Sequence, residues 1–391
     1  MMFSEVLPGL PIEALASVSA GASSADVERV LAKGCAESLE DFAVLISPAA
    51  SGRLEGMAQI SQALTQRNFG RTIHLFAPIY LSNECVNVCK YCGFSRHNVI
   101  PRVTLPIAQV VHEVGMLARQ GFRSLLLVAG EHPKYVSDGY VADVIRACLP
   151  IMPGISVELG PAKTEHYVPM VEAGCEGIVV YQESYHKPTY QQMHTAGPKK
   201  NFEFRLDTPE RAYDAGMRRL GISALYGLHE WRHEALAVAA HALHLQRFCW
   251  RAQLSVGLPR LRPAAGGFSP RLENVMSDRQ AVQLMCAFRF LLPRADISVT
   301  TRERPALRDG MVTVGATHMS AGACTEPGGY SAYSETSWRP LQVQPGEQFH
   351  VADDRSPREV AAMIRSRGYE AVWKDFDQCF VSAEPLEGLA S

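Results

Sequence analysis

The sequence has almost no net charge and no long apolar run. Its 38 lysine and arginine residues are balanced by 40 aspartate and glutamate residues, for a formal net charge of −2 over 391 residues. Without an excess of basic residues, neither nucleic acid nor an anionic membrane face is expected as a partner. No apolar run approaches the roughly 18 residues of a spanning helix, and the opening residues lack the basic start and apolar core of a signal peptide. The sequence predicts a cytoplasmic protein.

The chain also lacks the paired cysteines of a disulfide framework. Of its ten cysteines, all but three are scattered singly, most in apolar settings such as QLMCAFRFLL, where a free thiol packs as a small hydrophobe. The exceptions lie in YLSNECVNVCKYCGFSRHN, residues 80–98, which places Cys85, Cys89 and Cys92 close together. This cluster is where the sequence indicates chemistry.

Strand-like and helix-like segments alternate after residue 72. Residues 1–72 have the pattern of amphipathic helices that begin near serine caps, and eight apolar or β-branched runs then alternate with stretches such as IAQVVHEVGMLARQ. The eight candidate strands are residues 74–82, 124–130, 155–160, 177–183, 220–226, 253–261, 296–302 and 313–320. The pattern predicts an α/β fold, either a closed (β/α)8 barrel of the TIM type or an open doubly wound sheet.

A barrel would divide the chain into three regions. We predict a helical extension over residues 1–72, the barrel over 73–325, and a C-terminal extension over 326–391 that packs on the barrel. Active sites in such barrels lie at the C-terminal ends of the strands. The polar residues at those ends are Cys85, Cys89, Cys92, Glu131, His132, Glu158, Gln182, Glu183, Arg260, Arg262, Arg302, Glu303 and Ser320.

The three clustered cysteines have the spacing C-x3-C-x2-C. Three thiolates can bind three irons of a cubane [4Fe–4S] cluster and leave the fourth iron without a protein ligand. A structural zinc site is the alternative, with His97 as a fourth ligand, but such sites use pairs of ligands repeated at a distance and no second pair is present. An open iron would be a site for a small molecule.

The motif C-x3-C-x-Tyr-C resembles the signature of the radical S-adenosylmethionine (SAM) enzymes. The segments LLLVAGEH, VVYQESYHKPTY, LSVGLPRLRP, SAGACTEPGGY and VWKDFD extend the resemblance to aromatic amino acid lyases of this superfamily, above all the tyrosine lyases of thiamine biosynthesis. The resemblance implies the radical SAM barrel, a [4Fe–4S] cluster and SAM. It implies cleavage of tyrosine to p-cresol and 2-iminoacetate (dehydroglycine) after a hydrogen is taken from the amino group, while SAM gives methionine and 5′-deoxyadenosine.

The same resemblance implies residues that contact SAM. Tyr91 would pack near the adenine, as would the segment at 221–228. Glu131, next to the closely packed Gly130, would approach the methionine amino group, and Glu183 and Arg205 would supply further polar contacts. The structural alternatives are a helix cap for Glu131 and a surface ion pair of Arg205 with Asp207 or Glu203.

For the substrate, the resemblance selects Arg302 and Ser320 as the groups that bind the tyrosine carboxylate. An arginine fork suits a carboxylate, although Arg302 could instead pair with Glu303. Tyr80 would face the cavity near the substrate amine; a lone aromatic is otherwise a core residue.

Other functions remain open at this stage. A hydrogenase-maturing tyrosine lyase would carry a further cysteine group near its C-terminus, whereas only Cys324 and Cys379 lie beyond residue 300 here. A tryptophan lyase shares the barrel and differs in its substrate. An iron–sulfur carrier would need no SAM pocket, and a Schiff-base aldolase would need a lysine that no candidate strand contains.

The implied partners follow from the implied reaction. The resemblance implies L-tyrosine as substrate and a reducing electron donor of the flavodoxin or ferredoxin type. Because dehydroglycine hydrolyses readily, it also implies a transient complex with thiazole synthase.

Overall fold

The computed structural model describes residues 2–332 and 346–373. The first 70 residues are mainly helical, and three of the helices begin at serine caps: Ser23, Ser38 and Ser47 each accept a hydrogen bond from the backbone of the first turn. These helices are α1 (Phe3–Val6), α2 (Ile12–Gly21), α3 (Ser24–Lys33), α4 (Leu39–Leu45), α5 (Pro48–Ser51) and α6 (Leu54–Phe69).

The strands follow and alternate with helices. In the described part of the chain they are β1 (Thr72–Ser82), β2 (Val88–Cys89), β3 (Ser124–Ala129), β4 (Gly154–Glu158), β5 (Gly177–Glu183), β6 (His194–Ala196), β7 (Arg219–Ala224), β8 (Gln253–Gly257), β9 (Asp296–Val299), β10 (His318–Ser320) and β11 (Glu370–Val372). The later helices are α7 (Ile107–Arg119), α8 (Asp138–Cys148), α9 (Thr164–Glu172), α10 (Lys187–Met193), α11 (Phe202–Leu206), α12 (Thr208–Asp214), α13 (Trp231–Phe248), α14 (Asp278–Leu291), α15 (Pro305–Val314) and α16 (Pro357–Ser366).

Eight parallel strands close into a barrel. They follow the order β1, β3, β4, β5, β7, β8, β9, β10, and β10 pairs with β1 at the register His74↔His318. The predicted barrel is therefore confirmed and the open sheet is wrong. Strand β11 adds to the start of β1, with Thr72 opposite Glu370.

The predicted eighth strand, residues 313–320, is wrong at its beginning. Helix α15 continues to Val314, and the strand contains only His318–Ser320. The reason is that a short apolar run satisfies either structure: Met311 and Val312 bury their side chains from the helix instead.

Successive side chains of β1 point alternately to the packed core and to the interior of the barrel. Leu75, Ala77, Ile79 and Leu81 are buried in the core between strands and helices, whereas the residues between them line the barrel interior. Small inward-facing residues, among them Ser156, Gly221, Ser255 and Ser298, leave this interior unfilled. The resulting cavity measures about 170 Å³.

Across the described ranges, none of the helices combines the length and the apolar character needed to cross a lipid bilayer.

Candidate active site at the mouth of the barrel

The cysteine loop follows β1 directly and is held by contacts from distant segments. Strand β2, which contains Cys89, pairs antiparallel with β6. Arg102 donates hydrogen bonds to four carbonyl oxygens of the loop. The acceptors are Asn83 (2.7 Å), Phe94 (2.9 Å), Ser95 (2.7 Å) and Asn98 (3.1 Å). Sequence reasoning missed Arg102, because nothing in its spacing marks an arginine that folds a loop through backbone oxygens.

Two thiols of this loop, those of Cys89 and Cys92, are poorly suited to ionise by themselves. Burial raises the pKa of Cys89 to about 12 and that of Cys92 to about 11, and neighbouring thiols add to both shifts. A bound metal cation would hold such groups as thiolates. The donor set therefore fits a metal cluster.

The zinc alternative lacks a fourth ligand. His97 is exposed. Among the described residues, no three His, Cys, Asp or Glu side chains converge where they could hold one metal ion. A cubane makes a different demand, because each of its thiolates binds a separate iron. The lack of a single-ion site among the described residues therefore does not argue against a cluster bound by Cys85, Cys89 and Cys92.

Glu131 lies beside the cysteine loop. The Asn87 side-chain amide donates to Glu131 Oε2 at 2.7 Å and approaches Cys85 Sγ at 3.7 Å. Helix α8, the next along the chain, is capped by Ser137, so Glu131 does not cap it. Gly130 brings this strand end against the loop: a Cβ there would lie 2.3 Å from the Glu84 carbonyl oxygen.

Glu183 is the centre of a buried ion group. Its carboxylate accepts from Lys199 Nζ at 2.7 Å and lies 3.4 Å from the Arg205 guanidinium. These cations outweigh burial and hold the pKa of Glu183 at about 2. The surface alternative for Arg205 is not observed, since Asp207 binds the Ser4 backbone and hydroxyl.

Lys199 was not foreseen from the sequence. It lies in GPKKN, a loop motif without distinguishing spacing, yet its side chain is only 14% exposed. Its ammonium lies 5.6 Å from the centre of the Tyr91 ring. The lysine therefore brings a positive charge close to both Glu183 and the cysteine loop.

Glu183 also has a strained backbone. It is the one non-glycine residue with a positive φ, 72°, in the part of the chain described, a conformation that costs about 1–2 kcal/mol. The next two residues are anchored to helix α13, where Glu234 accepts from Ser184 Oγ at 2.5 Å and Tyr185 N at 2.6 Å. These bonds hold the turn that directs the Glu183 carboxylate.

Tyr91 packs in an apolar pocket beside the loop. Leu225 and Leu228, from the segment at 221–228, pack in the same cluster. The Tyr91 hydroxyl lies 2.7 Å from His194 Nε2, while His194 Nδ1 lies 2.7 Å from the Tyr190 carbonyl oxygen. Because Nδ1 must donate to that carbonyl, Nε2 accepts from Tyr91. Burial lowers the pKa of His194 to about 3, so the imidazole is neutral.

The barrel cavity opens beside these groups and contains Arg302. Its guanidinium lies 3.4 Å from the centre of the Phe349 ring. Glu303, the partner considered for it, is bound instead by Arg260 and Arg262. Within residues 2–332 and 346–373, no carboxylate forms an ion pair with Arg302.

Tyr80 and Ser320 also line the cavity. The Tyr80 hydroxyl donates to Gln348 Oε1 at 2.8 Å, and Ser320 Oγ accepts from Thr301 N at 3.0 Å. Gln348 and Phe349 come from beyond the barrel and were missed, since a contact across 268 residues leaves no local sequence pattern. The structure thus brings the eleven candidate site residues to one end of the barrel; their roles stay predictions.

Comparisons with known proteins give a consistent result. Residues 79–242 match the model of the radical SAM superfamily, and residues 257–370 match that of the biotin and thiamin synthesis associated domain. The chain is 41% identical over 358 residues to 2-iminoacetate synthase of Escherichia coli (strain K12), covering 91% of this chain and 92% of that protein. It is 39% identical over 358 residues to 2-iminoacetate synthase of Salmonella typhimurium (strain LT2), with the same coverage of each chain.

A solved structure resembles the whole fold. The crystal structure of HydG, a maturase of the [FeFe]-hydrogenase, superimposes with a TM-score of 0.85 at 30% identity. The match covers 94% of this chain and 80% of that chain.

Proposed function

The chain belongs to the 2-iminoacetate synthase family of radical SAM enzymes, and we propose on this premise that it cleaves the Cα–Cβ bond of L-tyrosine. The products are 2-iminoacetate and p-cresol, and 2-iminoacetate supplies the thiazole ring of thiamine. The family membership rests on 41% identity across nine-tenths of the chain. The confirmed radical SAM barrel and the thiamin-associated domain agree with it.

The residues at the barrel mouth fit the two cofactors of the superfamily. Cys85, Cys89 and Cys92 would hold the cluster, and SAM would bind the iron that has no cysteine ligand. When bound and reduced, the cluster supplies the electron that cleaves SAM to methionine and a 5′-deoxyadenosyl radical. The protein's own task is to keep the SAM charges in place: Glu131 and Glu183 suit an amino group, and Arg205 suits a carboxylate.

The structural observation that supports an amino acid as substrate is the position of Arg302, while the choice of tyrosine rests on the identity to 2-iminoacetate synthase. Arg302 presents a guanidinium to a barrel cavity, with its neighbouring carboxylate Glu303 occupied by other arginines. A planar fork in a cavity binds a carboxylate in two parallel hydrogen bonds. Ser320 lines the same cavity, and Tyr80 would lie near the substrate amine. Phe349 lines the same cavity and stacks on the Arg302 guanidinium.

Partners beyond the substrate follow from the chemistry. The cluster requires a low-potential electron donor, for which we propose a flavodoxin or ferredoxin. We also propose direct transfer of 2-iminoacetate to thiazole synthase, because an imine released into water hydrolyses. A tryptophan lyase is the second candidate, since the residues described here bind the part that all amino acids share.

An anaerobic turnover assay tests the proposal. The cluster is reconstituted, reductant, SAM and L-tyrosine are added, and 5′-deoxyadenosine and p-cresol are separated by chromatography, with tryptophan in a parallel reaction. Formation of both products from tyrosine supports the lyase. If deoxyadenosine forms without p-cresol, the proposed substrate is wrong. If neither product forms although the enzyme holds its cluster and binds SAM, the catalytic assignment is wrong.

A further inference from the structure

Glu158 is a carboxylate in the barrel cavity with no assigned role. It is the last residue of β4 and lines the same cavity as Arg302 and Tyr181. No residue in the described ranges forms a hydrogen bond or ion pair with its carboxylate. Glu131 is bound by Asn87 and Glu183 by Lys199, so Glu158 differs from these two carboxylates.

A partly buried carboxylate such as Glu158 that has no partner costs stability unless a ligand compensates it. Moving an isolated carboxylate out of water is expensive, and natural interiors satisfy such groups with partners. The side chain is accessible to the cavity, so a ligand can reach it. The missing partner is therefore expected to be a cation or a hydrogen-bond donor on the molecule that fills the cavity.

The proposed reaction requires a proton acceptor at the substrate nitrogen. Tyrosine carries its amino group as –NH3⁺ at neutral pH, whereas the nitrogen of neutral 2-iminoacetate carries one hydrogen. Two hydrogens therefore leave the nitrogen, one as an atom to the deoxyadenosyl radical and the other as a proton. The deoxyadenosyl radical accepts the hydrogen atom, whereas the proton needs an acceptor from the protein.

We propose that Glu158 binds the substrate amino group and takes this proton. The N–H bond to the departing proton breaks, its electron pair stays on nitrogen, and a new O–H bond forms on Glu158. No oxidant or reductant takes part in this step. The inference rests on the proposed function and adds a catalytic residue that recognises an α-amino acid zwitterion: Arg302 binds its carboxylate, and Glu158 binds its ammonium.

The surroundings of Glu158 suit a proton acceptor. Burial raises the pKa of its carboxyl, and Glu183 raises it further. Arg302, Arg205 and Lys199 act in the opposite direction. The hydroxyls of Tyr80 on β1 and Tyr181 on β5 also interact with it electrostatically, and they stay neutral because burial raises their pKa values. A carboxylate with a raised pKa is a stronger base than one on the surface.

The pH dependence of turnover tests this assignment. Wild-type kcat is expected to rise with pH through the pKa of Glu158, because the protonated carboxyl cannot accept, and then to level. Glu158→Gln keeps the volume and removes the acceptor. General-base catalysis contributes about 10²–10⁴-fold, so kcat at neutral pH is expected to fall by that factor and to recover roughly tenfold per pH unit as the free amine deprotonates.

Two controls separate this result from loss of folding or of the proposed function. Iron content and the effect of SAM on the EPR spectrum of the reduced cluster should match wild type in Glu158→Gln. Glu158→Asp keeps the acceptor and is expected to retain the wild-type shape of the pH profile at lower kcat. If Glu158→Gln does not load its cluster, the pH profile of kcat for Glu158→Asp tests the assignment instead. A profile that differs in shape from that of wild type would contradict the assignment.

The inference is overturned by a glutamine variant whose kcat stays within threefold of wild type, or whose deficit is the same at every pH. The proposed function is judged separately, by whether the wild-type enzyme forms p-cresol from tyrosine. Wild-type turnover combined with an unaffected Glu158→Gln variant would leave the lyase standing and remove Glu158 from its mechanism.

Discussion

Replacing Arg302 by alanine gives the strongest test of how the substrate is bound. The guanidinium lies in the cavity and, among the described residues, is not tied to a carboxylate, so it is available for the tyrosine carboxylate. Removing one partner of a buried charge pair costs about 2–5 kcal/mol. At about 1.4 kcal/mol per factor of ten, a loss of 3–4 kcal/mol lowers kcat/KM by roughly 10²–10³-fold. Arg302→Lys keeps the charge and loses the fork, so it should fall between alanine and wild type.

The assay compares p-cresol formation over a range of tyrosine concentrations in reconstituted enzyme. SAM binding, followed through the cluster EPR spectrum, should be unchanged in Arg302→Ala, because Glu183 is held by Lys199 and Arg205 instead. Arg262→Ala is the matched control: its guanidinium pairs with Glu303 at 3.0 Å, so kcat/KM for tyrosine should change little. A kcat/KM for Arg302→Ala within threefold of wild type would refute the carboxylate assignment.

Three further predictions concern the cofactor end of the site. Cys89→Ala should abolish cluster loading, measured as iron content, whereas the isolated buried Cys148→Ala should load normally. Gly130→Ala would place a Cβ 2.3 Å from a backbone oxygen before the first cysteine, so cluster content should fall even if the protein folds; full loading would contradict the close approach. Lys199→Met leaves Glu183 with a single cation and should weaken SAM binding by tenfold or more in equilibrium dialysis; unchanged binding would count against the pair. Because the folded pKa of Glu183 is about 2, below its ordinary value of 4.5, the stability that this ion group contributes is present above pH 4.5 and lost as the pH falls toward 2; acid unfolding should show a smaller loss in Lys199→Met.

The cysteine motif and the barrel were accessible from the sequence for different reasons. Cys85, Cys89 and Cys92 lie within eight residues, so the predicted cluster ligands can be identified from a short local motif. The strand pattern repeats eight times, so the prediction of a barrel does not depend on the exact start of any one strand, such as the eighth. Short apolar runs such as MVTV do not by themselves distinguish a helix from a strand, because both structures bury them.

Three features of this protein are evident from its amino-acid sequence alone: three thiols for a cluster, an alternating α/β architecture, and the polar residues at the strand ends. Tertiary structure decided which of these groups are available. Arg302 lines the cavity without competition from Glu303, which is bound by arginines about 40 residues away. Lys199 reaches Glu183, and Gln348 reaches Tyr80, through contacts that no local pattern encodes. The physical reason is that residue type fixes what a side chain can bind, while long-range packing fixes which of its possible partners it meets.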